Sequence, residues 1–286
     1  MRPSDVKLRL ARIQDATGIN GALLWLQRQV FRPHARAINY HAAHPAHMAS
    51  FEAQVAWYAQ NFVSIGVQGL LDLQRGVWPH SRPGLIVSFD DGLREPYDHA
   101  VPILERYGFR AWFFVPTTLV ATPPADQRAF AVRHEIADAA PAGDPRIALS
   151  WDEIRDLDRR GHVIGSHTCT HHRMVSSTPR ETVRSEILDS KRLLETQLGH
   201  EVPVFCWVGG EEETYSAEAA AAIRDAGYRI AFQTHSFVIR PGTNLLQIQR
   251  TNVEALDPLP LVRFQLSGFM DVFSSGRRRR VERLTA

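Results

Sequence analysis

Short apolar runs recur along this chain, separated by longer stretches whose apolar positions repeat every three or four residues, which is the pattern of strands alternating with helices. The runs occupy residues 37–40, 62–65, 85–89, 111–115, 162–165, 204–208 and 229–233, and 245–249 is a further candidate. Two helix starts carry capping-box signals: Ser150 with Glu153, and Thr178-Pro179 with Glu181. The second of these helices is predicted to run to Leu198, with Val183, Ile187, Leu194 and Leu198 on one face and Gly199 ending it. A third is expected over 217–226, between Ser216 and Gly227. Strand-helix repetition of this kind predicts an α/β fold, and chemistry placed at strand ends is the arrangement of a (β/α) barrel.

Length and composition agree with one such domain. A chain of 286 residues with 44% apolar content can bury a full core. The expected organisation is an N-terminal helical extension (1–35), a catalytic domain (36–256) and a basic C-terminal extension (257–286) that contains the run Arg277 to Arg280. Residues 122–149 are rich in Ala, Pro and Asp and break the alternation. Ordinary connections are about four to six residues, so this stretch reads either as a substrate-shaping insertion or as a disordered loop.

A net charge of +2 gives no reason to expect a nucleic-acid partner, and two cysteines, Cys169 and Cys206, are too few for a disulfide framework. The sequence contains no apolar run long enough to span a membrane, and its first residues have no secretory apolar core, so a cytoplasmic location is expected. Leu23, Leu24, Trp25, Leu26, Val30 and Phe31, interleaved with Arg28 and Arg32, fit either a helix packed on the barrel or weak contact with the inner face of a membrane.

Two strand ends carry the informative chemistry. Ser88-Phe89-Asp90-Asp91-Gly92 sets two carboxylates side by side where an apolar run stops, and Gly92 permits an immediate turn. Such a pair in a cleft serves as metal ligand, general base or both, although an Asp before a turn also fits a helix cap. Gly165-Ser166-His167-Thr168-Cys169-Thr170-His171-His172 follows another run and places two imidazoles four positions apart. Two imidazoles and one carboxylate, with positions left open for water, suit a catalytic metal.

These two segments resemble the first two motifs of the polysaccharide deacetylases, the NodB-homology group of carbohydrate esterases. The likeness continues through Tyr97 to Leu104 and Tyr107 to Val115 and extends over about 38–253. It implies a distorted barrel of about seven strands that removes an N-acetyl group from an amino sugar of a glycan or glycan precursor. Carried over residue by residue, it implies that Asp90 is the base activating a water, while Asp91, His167 and His171 hold one divalent ion, with zinc expected. Tyr40-His41 is similar to the N-terminal Tyr-His element of a branch that includes poly-N-acetylglucosamine deacetylases, which makes His41 the expected proton donor, with His235 a weaker substitute.

Two family motifs are altered. Where relatives carry Arg-x-Pro-Tyr-Gly this chain has Cys206-Trp207-Val208-Gly209-Gly210, and the usual Leu-x-His is replaced within Leu245 to Gln249. Arg250 or Arg94 could supply the missing guanidinium, though each reads first as an ordinary surface arginine. Gly209 offers an N–H for the oxyanion, and Trp207 fits either a sugar-stacking face or the core. Glu211, Glu212 and Glu213 read as a solvated run or as substrate contacts. A cyclic amide hydrolase of the same superfamily and a non-catalytic glycan-binding relative are the competing expectations.

Overall fold

The computed structural model describes residues 3–137 and 143–286, with side chains from residue 6 onward. Eight strands are present among these: β1 (Ala35–Tyr40), β2 (Val63–Ser64), β3 (Gly84–Phe89), β4 (Ala111–Val115), β5 (Val163–Ser166), β6 (Val204–Cys206), β7 (Ile230–Gln233) and β8 (Ile248–Asn252). All pair in parallel, in the order β1-β8-β7-β6-β5-β4-β3-β2, and β1 also pairs with β3. That last pairing closes seven strands into a barrel and leaves β2 outside it.

Register explains the exclusion of β2. β3 pairs with β1 along all of Gly84 to Phe89, but with β4 only from Val87 onward, so its first residues keep a free edge that Val63 and Ser64 occupy. The apolar run 62–65 is therefore a strand, yet it is not a stave of the barrel. The seventh stave is β8. Leu245–Gln247 forms a 3-10 turn, and the strand starts at Ile248, later than the candidate run suggested.

Side chains alternate across the barrel wall, as a period of two requires. Ile86, Trp112, Phe114, Val204, Ile230, Phe232 and Ile248 meet in one core cluster, while Leu85, Val87, Phe113 and Val115 belong to another together with residues of the covering helices. Gly165 makes the first cluster possible, because a Cβ there would lie 2.9 Å from the Phe114 ring.

The Ser150 capping box is present: Ser150 Oγ accepts from Glu153 N at 3.3 Å, and Glu153 accepts from Ser150 N at 2.7 Å. The Thr178 box is not. Pro179, with extended backbone, is the N-cap of helix Arg180–Leu198, and Thr178 Oγ1 instead lies 3.3 Å from His172 Nε2. Gly199 ends that helix at φ 77°, and Ser216 caps Ala217–Asp225.

Of the 122–149 stretch, 138–142 lie outside the described residues. Helix Pro124–Arg133 and an antiparallel bridge between Leu93 and Ala148 frame a small core of Leu93, Leu119, Ala131, Ile136 and Ile147. Gln127 Oε1 accepts from the N–H groups of both Ile147 and Ala148, which satisfies backbone that the insertion would otherwise leave orphaned.

Helices from the two ends of the chain share one flank of the barrel. Arg36 on β1, fully buried, donates to Asp271 of helix Phe269–Leu284 at 2.5 Å and to Gln27 of helix Ile19–Val30 at 3.0 Å. The run Arg277 to Arg280 lies inside Phe269–Leu284 rather than in a loose tail. Arg278 stacks on Phe237 at 3.8 Å, and Arg280 pairs with Glu212 at 2.8 Å.

Candidate active site

The two acids leave the barrel wall at the C-terminal mouth. Asp90 N donates to Tyr40 O at 3.0 Å, which continues the β1–β3 register one step past the strand. Asp91 then turns at φ 70° and Gly92 at φ 64°. A non-glycine residue in the left-handed region is uncommon, and such residues cluster at functional sites. Here three of them meet: Asp91, Thr168 at φ 68° and His171 at φ 61°.

Asp90 is not paired by an exposed residue. Arg250, 1% exposed, donates to both of its carboxylate oxygens at 2.6 and 2.8 Å. The first expectation for Arg250, an ordinary surface arginine, is thus incorrect. It lies on β8 two positions past Ile248, so strand alternation turns it inward, where its guanidinium sits 5.3 Å from the Phe114 ring centre and donates to Ser88 Oγ at 3.1 Å. Ser88 Oγ in turn donates to Ile38 O. Arg94 is elsewhere, pairing with Asp98 at 2.9 Å. Burial pushes the Asp90 carboxyl upward, but Arg250, with help from the neighbouring imidazoles, outweighs it and holds the group below the usual carboxylate range.

The histidine loop is braced from below. Glu186, on helix Arg180–Leu198, accepts from the N–H groups of Cys169 and Thr170 at 2.9 and 2.8 Å and from Thr170 Oγ1 at 2.7 Å. Ser166 Oγ accepts from Thr168 N. His167 Nδ1 donates to Cys206 O at 3.0 Å, and His171 Nδ1 donates to His134 O at 2.7 Å. Because carbonyls only accept, each neutral imidazole carries its proton on Nδ1 and turns the Nε2 lone pair inward, 3.6 and 3.2 Å from Asp91 Oδ1.

Two nitrogen lone pairs and a carboxylate oxygen turned on one another repel unless a cation sits among them. The donor atoms of Asp91, His167 and His171 lie within 4.8 Å of each other, and their orientation by backbone carbonyls is the support that metal-binding histidines normally have. The residues fit a divalent ion. Burial disfavours charge on both Asp91 and His171, yet their mutual contact overrides it, so the carboxyl is pulled down and the imidazole up.

Asp90, Asp91, His167 and His171 line a cavity of about 260 Å³ together with His41, Asn39, Asn252, Trp207 and Gly209. His41 Nδ1 lies 3.9 Å from Glu254 Oε1. Trp207 is a core residue, 2% exposed and packed 5.1 Å from Tyr215, that also forms part of the cavity wall. Glu211 reaches the cavity, whereas Glu212 is turned to Arg280. Glu135 and Ala137 bring the 122–149 insertion to the rim. His235 lines an adjoining cavity instead, and burial, aided by Arg277, pushes its imidazole down to about 4.

Sequence reasoning missed Glu186 and misjudged Arg250. The signal for Arg250 was its parity with Ile248 on a strand; Glu186 carried none, since an acid inside an amphipathic helix looks solvated.

A closed parallel barrel with a buried arginine-held carboxylate beside an Asp-His-His donor set belongs with the barrel enzymes that carry their chemistry at the C-terminal face. The chain belongs to the polysaccharide deacetylase family, whose profile matches residues 79–231, just over half of its length. It is 22% identical over 208 residues to YxkH of Bacillus subtilis (strain 168), covering 71% of this chain and 63% of that one. Poly-beta-1,6-N-acetyl-D-glucosamine N-deacetylase of Escherichia coli (strain K12) is 21% identical over 216 residues, 66% of this chain and 30% of that protein. The chain thus spans less than two thirds of the length of these curated relatives. The Streptococcus pyogenes deacetylase PplD in complex with acetate shares the fold, with a TM-score of 0.64 at 17% identity over 81% of this chain and 97% of that one.

Proposed function

We propose that this chain is a metal-dependent N-deacetylase that hydrolyses the acetamide of an N-acetylated amino sugar in a surface polysaccharide or its precursor. The observation that carries the proposal is the convergence of the Arg250-bound Asp90 with Asp91, His167 and His171 on one small cavity. The N-deacetylase of Escherichia coli to which this chain is similar supports the same chemistry.

Asp91, His167 and His171 would hold the cation, and their nitrogen and oxygen donors suit zinc. When bound, it supplies Lewis acidity that lowers the pKa of water and polarises an amide carbonyl. Asp90 accepts the proton of the attacking water. Arg250 keeps that carboxylate ionised and fixes its plane, so the base is ready without reorganising. Gly209 N–H, at φ 86°, has no acceptor among the described residues and is the donor we assign to the developing oxyanion. His41 delivers a proton to the leaving amine, with the Glu254 carboxyl 3.9 Å from its Nδ1.

Acetate release measured over a panel of N-acetylated glycans and sugar derivatives tests the activity. Release that disappears with a chelator and returns with zinc is expected; turnover of cyclic imides without acetate release would replace the reading. Elemental analysis of Asp91→Ala and His167→Ala tests the ligands independently, and full metal content in both would refute them.

No helix among the described residues is long and apolar enough to cross a membrane. Trp25, Leu26, Val30, Val272 and Phe273 are nonetheless exposed, four of them around an apolar groove of about 620 Å³. With Arg277 and Arg279 nearby, they support peripheral contact with an anionic membrane surface as part of this proposal.

A further inference from the structure

A second cavity, of about 570 Å³, adjoins the catalytic one and shares Thr234 and Asn252 with it. Its walls come from the ends of β7 and β8 and from helices Pro3–Ala16 and Phe269–Leu284, and they include Lys7, His235, Arg250, Arg277 and Arg280. His235 is 4% exposed, and among the described residues neither of its ring nitrogens has a hydrogen-bond partner. Arg250 Nε, equally buried, also lacks one. Buried polar groups are ordinarily satisfied, so unpartnered ones that share a single cavity call for a ligand or ordered water there.

Charge indicates which ligand. Glu212 pairs with Arg280, and Asp271 is held by Arg36 and Ser236; Asp257 attracts Lys7, and Glu211 and Glu212 attract Arg277, but among the described residues none of these closes an ion pair with Lys7 or Arg277. The cavity is therefore electropositive: of its three guanidinium groups Arg250 is held by Asp90 and Arg280 by Glu212, which leaves the Arg277 guanidinium and the Lys7 ammonium beside the His235 imidazole. Donors approaching from several directions match the radiating oxygens of a phosphoryl group better than the two coplanar oxygens of a carboxylate.

We propose that this cavity is a phosphoryl subsite, and that the sugar deacetylated at Asp90 carries a phosphate that His235 and Arg277 bind. The substrate class is then a phosphorylated or phosphate-linked N-acetylated amino sugar, a refinement that rests on the deacetylase reading. Because Thr234 and Asn252 border both cavities, one sugar unit can present its acetamide to the first and its phosphate to the second.

Titration of the chelated, histidine-labelled protein with inorganic phosphate at constant ionic strength, followed by NMR at the His235 ring, tests the subsite without catalysis. His235→Gln assigns the resonance. A saturable shift is expected, with affinity about tenfold or more weaker in Arg277→Ala, the loss typical of a charge-assisted hydrogen bond. Absence of a saturable shift, or an unchanged affinity in Arg277→Ala, overturns the proposal. In kinetics, Arg277→Ala should lower kcat/KM for an N-acetylamino sugar phosphate at least about tenfold more than for a neutral N-acetylated oligosaccharide. Equal losses overturn it. A polyprenyl-phosphate-linked sugar as a third substrate distinguishes a carrier-borne phosphate from a free one, by which of the two turns over faster. If phosphate binds as expected but no substrate is deacetylated, the subsite stands and the deacetylase reading fails.

Discussion

Arg250→Met removes the guanidinium that neutralises Asp90 while leaving an unbranched side chain to fill the space beside Phe114 and Phe232. Both partners of the lost pair are almost fully inaccessible, at 1% and 4% exposure, so water cannot take over the role of the arginine. Breaking a buried pair by deleting one member costs about 3–5 kcal/mol. With an unfolding entropy of about 2.1 cal/mol/K per residue over 286 residues, that loss lowers Tm by about 5–8 °C. The pH dependence should change sign as well. In the parent protein the Asp90 carboxyl is held low, so its stabilising contribution is present above the ordinary carboxylate range and disappears as pH falls through the folded value. Without Arg250 the desolvation of Asp90 is unopposed by its strongest partner and the folded pKa rises. The group then stabilises only at low pH, and the variant loses stability as pH increases. Urea and thermal unfolding of both chelated proteins on either side of neutrality measures this, and the acidic limb of kcat/KM should move upward in parallel. A variant that melts within a degree or two of the parent, with the same pH dependence, would refute the reasoning about Asp90.

His41→Ala should cut turnover by about 10²- to 10⁴-fold with metal content intact, whereas His235→Ala, outside the catalytic cavity, should affect a neutral N-acetylated substrate far less; the opposite order in steady-state assays would transfer the acid role. Glu186→Ala frees the N–H groups of Cys169 and Thr170 beneath the histidine loop, so metal affinity measured against a competing chelator should fall about 10–100-fold while circular dichroism stays unchanged. The parent protein should co-sediment with anionic vesicles at low salt and release at high salt. Of the four consecutive arginines, Arg277 and Arg279 should carry most of the binding, at about 1 kcal/mol each, because Arg278 is spent on Phe237 and Arg280 on Glu212. No sedimentation at low salt would remove the membrane contact.

The first site residues were legible because their chemistry is local. Asp90, Asp91 and Gly92 follow one strand without a gap, and His167 and His171 are four positions apart in one loop, so backbone geometry alone brings each set to the barrel mouth. The alternation of runs likewise announced a strand-helix barrel, and the capping box at Ser150 marked a helix that is present. Other features depended on residues far apart in the chain. The fate of run 62–65 was decided by how much of β3 its other partners leave unpaired, which is a matter of register across strands and not of apolar content. Thr178 failed as a cap because the backbone of Pro179 already takes that position, and a local signal cannot reveal which of two adjacent residues the helix will use.

Arg250 illustrates the division most clearly. Its sequence neighbourhood, Gln249-Arg250-Thr251, is polar and reads as surface, yet 160 positions separate it from the acid it serves. Only closure of the barrel turns that parity inward and sets the guanidinium against Asp90. The same closure puts His235, whose ring nitrogens have no hydrogen-bond partner among the described residues, beside a basic helix near the C-terminal end, in a cavity that no spacing rule could have foreseen. Short-range order along the chain determined which acids and imidazoles stand at the strand ends. Which charges compensate them was decided in three dimensions, because burial makes an uncompensated charge costly and the partner can come from anywhere the fold brings near.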